Sequence, residues 1–198
     1  HNYTVGISLK FSGLDAAIKN VGNKIAKYEK EVQKELNSWA NDTARLAKGF
    51  APVNDGQLVG AINAEKDQKL KASVTVNVFY AAYIEFGTKK YAASYVAKLP
   101  PDWKTFASSF KGKVSEGSFN EFVQNIMRWV QLKGIGANKT KSGNISQSKD
   151  SLDAMQQAAY AIALNIIQNG IKPHPFLYPA YVETKDKLIE NIKAVLER

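Results

Sequence analysis

One apolar stripe dominates the first quarter of the chain. Leu14, Ile18, Val21, Ile25, Tyr28, Val32, Leu36, Trp39, Thr43, Leu46 and Phe50 follow one another at steps of three or four. The mean step is about 3.6 residues, the α-helical repeat, and lysines and glutamates fill the other side. A helix over 14–50 would run roughly 50 Å at 1.5 Å per residue, longer than a small domain is wide. The stripe therefore predicts a helix that bends at Gly22 or projects toward a neighbour. Its own sheet takes part of the stripe, and the length points to a partner subunit for the rest. Pro52 ends the helix, because Ala51 before it is steered out of helical φ/ψ. Asn54-Asp55-Gly56 then reads as a turn.

Strand patterns flank this helix. Tyr3, Val5, Ile7, Leu9 and Phe11 alternate with polar or small residues, which predicts a half-buried strand over 3–11. Residues 57–65 and 71–80 read as two more strands, with a charged tip between them. A fourth strand is expected over 82–86, broken by Gly87. Residues 89–170 have a different texture. Trp103, Phe106 and Phe110 mark a short helix. Phe119, Phe122, Ile126 and Trp129/Val130 mark another, with Ser118 and Gly134 as its end signals. The stretch from Lys133 to Lys149 has four lysines, no acid and three glycines, and reads as a mobile basic loop. A helix capped near Ser148 and closed by Gly170 follows, then Pro173 to Tyr181 and a last helix from about Tyr178.

Composition narrows the chemistry. The chain has 198 residues, 44% of them hydrophobic, enough for one domain or one with a large insertion. No apolar run approaches the roughly 18 residues of a membrane span. The chain's beginning lacks the basic-then-apolar pattern of a signal peptide, so none is expected. It has no cysteine, which excludes disulfides and thiolate chemistry. His174, between two prolines, is the only internal histidine. It gives no nucleophile–base set, and no run of His, Asp or Glu has ligand spacing. The stretch around Lys139 lacks the Gly-Lys-Ser/Thr ending of a nucleotide loop. Neither metal nor cofactor nor enzymatic activity is expected. The net charge of +9 fits ordinary solubility, with a polyanion partner as the alternative. Lys133, Lys139, Lys141 and Lys149 are the candidate phosphate contacts.

Three segments carry a resemblance: APVNDGQLVGAI at 51–62, FYAAYIEFGT at 79–88 and PHPFLYPA at 173–180. Their order, with a long helix before and a helix after, resembles the phage head–tail morphogenesis proteins that act as tail-completion or tail-terminator subunits of long-tailed phages. The residues matched are Pro52, Gly56, Leu58, Tyr83, Glu85, Phe86, Gly87, Pro175, Phe176, Leu177 and Pro179. They are candidates for structural or subunit-interface roles. Gln57 stands where the family usually has arginine, and 89–170 fills a gap that is usually short. From the residues themselves, Glu85 is expected to accept hydrogen bonds from backbone near the proline-rich clip. The clip is expected to anchor Phe176 and Leu177 in the core and aim the last helix.

The fold class expected is α+β: a small, mostly antiparallel sheet with a long N-terminal and a C-terminal helix. A core domain is expected from 1–88 and 171–198, with 89–170 as a helical insertion. The resemblance implies a virion protein of the head–tail junction, in the host cytoplasm during assembly. It implies a ring, a hexamer, that contacts tail-tube and head-connector proteins, with phage DNA passing through and no membrane. A nucleic-acid-binding accessory protein and a head-closure or minor capsid component are the alternatives.

Overall fold

The computed structural model describes residues 7–11, 25–53, 56–65, 70–78, 80–110 and 119–197. The chain divides into two compact units. Unit 1 joins 1–87 to 172–198, and unit 2 is 88–171.

Unit 1 is α+β. Its sheet holds β1 (Ile7–Phe11), β2 (Ile62–Glu65) and β3 (Ala72–Val76) in the order β1-β3-β2, all antiparallel. Ile7 and Ile62 both lie opposite Val76, so β1 and β2 begin where β3 ends. Central β3 is buried on both faces at every position. Helix α1 (Ile25–Phe50) packs on β2 and β3 and against the last helix, α8 (Leu177–Leu196). Residues 3–6 and 14–24, where the strand and helix patterns begin, lie outside the described residues, as do Asn54 and Asp55.

The buried side of α1 contains Tyr28, Val32, Leu36, Trp39 and Thr43 of the predicted stripe, and also Ala40, Ala44 and Ala47. Leu46 and Phe50 are only half-buried. Two partners need a wide face, and small alanines let them approach. At the α1–α8 seam, buried Thr43 and Thr184 meet at 2.8 Å between hydroxyls. The Thr184 hydroxyl donates its proton to the Ala180 carbonyl, so Thr43 is the donor between the two.

Three strand expectations are corrected. Residues 57–61 form a helical turn, α2 (Gln57–Ala61), and only Ile62–Glu65 is strand. Leu58 and Ile62, both buried, are four apart, which is helical spacing. The strand expected over 71–80 covers only Ala72–Val76, with Asn77, Val78 and Tyr80 outside it; before it Leu70 has φ 60, a left-handed turn that extended backbone cannot continue through. The amide of Gln33 on α1 holds that turn: it accepts from the Leu70 N–H at 2.6 Å and donates to the Lys71 carbonyl at 2.9 Å. The third correction is that 82–86 is not strand but helix α3 (Ala81–Phe86), with Ala81, Ala82, Glu85 and Phe86 on its buried side.

Unit 2 is helical: α4 (Lys89–Val96), α5 (Pro101–Ser108), α6 (Phe119–Lys133) and α7 (Lys149–Asn169). Trp103, Phe106 and Phe110 form a chain of edge-to-face rings at 5.3 and 5.2 Å. Helices α6 and α7 pair around Val130, Met155 and Ala159. Ser148 caps α7 by accepting from the Ser151 N–H. The first and last residues of the unit are strapped together. Thr88 N–H donates to the Ile171 carbonyl at 2.9 Å, and Ile171 N–H donates to the Thr88 hydroxyl at 2.8 Å. Lys89 places its ammonium on the Ile167 carbonyl in the last turn of α7, where a cation suits the helix dipole.

Candidate functional site

Residues 80–87 and 173–180, from two of the segments singled out in the sequence, meet inside unit 1. Helix α3 ends at Gly87, whose φ of 72 a side chain rarely adopts. Glu85, one residue inside the helix end from Phe86, is fully buried. Its Oε2 accepts from the backbone N–H groups of Phe176 and Leu177, both at 2.8 Å, and its Oε1 accepts from Tyr178 N–H at 2.9 Å. The His174 N–H donates to the Ile84 carbonyl at 2.7 Å, a second stitch between the segments.

These bonds explain the residue pattern. A helix begins with backbone N–H groups that have no intrahelical partner. In α8 no side chain of the cap residue, Phe176, takes one. Glu85 reaches across instead and takes three N–H groups. Pro179, the next residue, has no N–H to satisfy. The carboxylate also lies at the positive end of the α8 dipole. Burial pushes the Glu85 carboxyl above the ordinary value of 4.5, against the pull of the Phe176, Leu177 and Tyr178 N–H groups. The pair of prolines Pro173 and Pro175 fixes φ on the approach and limits the freedom lost on ordering.

Phe86, Phe176 and Leu177 are buried, while Tyr83, Pro175 and Pro179 are half-buried around them. The buried side chains are occupied within the chain. Pro52, Gly56 and Leu58 belong to the connection between α1 and β2. Gly56 has φ 82 there and Leu58 is the buried anchor.

The four lysines lie elsewhere, in unit 2, and all are exposed. The segment holding them has local structure of its own where a plain loop was expected. It is a short hairpin with a bridge between Lys139 and Ile145. Thr140 N–H donates to the Asn144 carbonyl at 2.8 Å, and Ser146 N–H to the Asn138 carbonyl at 2.8 Å. Ile135, Ala137 and Ile145 pack on the α6–α7 core. Lys139 and Lys141 are at the tip, and Lys133 and Lys149 are at the ends of the flanking helices.

Among the described residues, no group of three or more His, Cys, Asp or Glu could hold a metal ion, and no helix is long and apolar enough to cross a membrane. Unit 1 is thus an α+β module whose buried carboxylate joins two distant segments and starts its last helix. Residues 15–87 match the model of a family described as "Bacteriophage HK97-gp10, putative tail-component". This bears out the resemblance over that segment, which is similar to a phage tail component. The match stops at Gly87, where the first segment of unit 1 also stops. Neither a curated protein nor a solved structure matches the chain.

Proposed function

We propose that this protein is a tail-completion subunit of the head–tail junction, assembling into a ring of six on the tail tube and docking to the head connector. The match of residues 15–87 to a tail-component family carries this reading. Exposed surfaces support it. Tyr160, Leu164 and Ile167 stand exposed at helical spacing on α7, and Val182 and Ile189 stand exposed seven apart on α8. Such stripes are the faces through which identical subunits bury area. β1 and β2 are the edge strands of the sheet among the described residues, and edges offer unpaired backbone to a neighbour. The work is association rather than catalysis, with the virion as its place of action.

The test is assembly on purified tail tubes, viewed by electron microscopy. A ring at one end of each tube, and tubes that stop lengthening, are the expected result. Tubes that continue to grow, with no added density at either end, overturn the proposal.

A further inference from the structure

The basic hairpin of unit 2 is not used by a tail-structural role. From Phe122 to Lys149 the chain carries Arg128, Lys133, Lys139, Lys141 and Lys149 and no acidic residue. The structure adds preorganisation to that charge. Gly134, Gly136 and Gly143 have φ of 64, 76 and 84, so the turns of this segment are built on left-handed glycines. A Cβ on Gly136 would lie 3.2 Å from the Ala154 carbonyl oxygen, so the hairpin base rests closely on α7. The fully buried Ser151 hydroxyl accepts from the Asn138 N–H at 3.1 Å and holds one arm of the tip. Thr140 to Gly143 form the turn, with Gly143 N–H donating to the Thr140 carbonyl at 2.9 Å. Residues 138–144 are all exposed, and every one is a lysine, hydroxyl, amide or glycine.

We propose that this hairpin is a contact for the phosphodiester backbone of duplex DNA, without sequence preference. Lysine ammoniums and exposed hydroxyls are donors for phosphate oxygens and carry no base readout. A fixed hairpin loses little freedom on binding, unlike a solvated loop. The partner is narrowed by what the tip lacks. Its residues 138–144 include no aromatic on which an unpaired base could stack, which disfavours single strands. They include no apolar wedge to enter a lipid interface, and Ile135 and Ile145 are turned into the core. The inference goes beyond the tail-completion reading and does not rest on it.

The experiment is binding of the full chain to a 30-base-pair duplex of arbitrary sequence, over a salt series. With four lysines engaged, the log–log salt slope is expected near about −3 to −4. Lys139→Gln with Lys141→Gln should make it shallower by about two and weaken binding at least about tenfold near 0.1 M salt. Lys30→Gln with Lys34→Gln, the same charge change on exposed positions of α1, should change affinity less than about twofold. Binding by the wild type that the hairpin variant retains, or that the α1 variant loses equally, overturns the proposal. So does the absence of binding at low salt, or tighter binding to a single strand or to anionic phosphatidylglycerol vesicles than to the duplex.

Discussion

At the scale of residues, fully buried Glu85 ties the start of α8 to α3 through three backbone N–H groups. Glu85→Ala would leave three N–H groups at the start of α8 without their acceptor. Each such loss costs about 1–3 kcal/mol, so the variant is expected to lose on the order of 3 kcal/mol or more in urea unfolding. The pH dependence has a definite sign. The carboxyl has a raised value in the folded chain and the ordinary 4.5 in the unfolded one. Between these the folded state holds more protons, so this group's contribution to stability falls as pH rises from 4.5 through the raised value. Glu85→Gln cannot titrate, and its unfolding midpoint should lack that slope when followed upward from pH 4.5. An acid set between Ile84 and Phe86, in a chain that also held a proline-rich clip, was legible as a backbone acceptor. The Gln33 clamp on Leu70 was not. Its partners are 37 and 38 residues away and nothing local marks it.

At the scale of elements, periodicity was legible where it ran long and ambiguous where it ran short. The α1 stripe named Val32, Leu36 and Trp39 correctly as buried. It missed Ala40, Ala44 and Ala47, because alanine weighs little in an apolar pattern yet sets how closely partners approach. Ala40 is fully buried. Ala40→Leu is therefore expected to overpack α1 and cost about 1–3 kcal/mol, measured as a lower midpoint with an unchanged denaturant slope. Residues 57–61 and 82–86 read as strand because β-branched and aromatic residues favour extended backbone. Tertiary placement overrode that preference. Leu58 and Ile62 are buried at helical spacing, and Ala81, Ala82, Glu85 and Phe86 share one side of a helix. The hairpin order was also hidden. Polar composition reads as a solvated loop, and the Ser151 hydroxyl and the half-buried Ile145 that fix it show only once α6 and α7 are paired.

At the scale of the whole molecule, the boundary between the two units falls at Gly87 and Lys172. Unit 1 contains its own sheet, helices α1 and α8, and the Glu85 bonds, whose donors all belong to it. Replacing 88–171 by a short Gly-Ser linker is expected to leave unit 1 folded, with helical circular dichroism and one cooperative urea transition. A chain that loses that transition would show the two units to be one folding unit. The converse piece, 88–171 alone, is expected to fold around Val130, Met155 and Ala159.

The strap between Thr88 and Ile171 brings the polypeptide into and out of the second unit at a single doorway. A Cβ on Gly170 would sit 2.7 Å from the Thr88 oxygen, so the doorway tolerates no side chain at that position. Such a doorway lets recombination exchange one lobe for another in a single event. Related genes should then differ here by wholesale replacement, while the frame that holds the lobe changes only by scattered point substitutions.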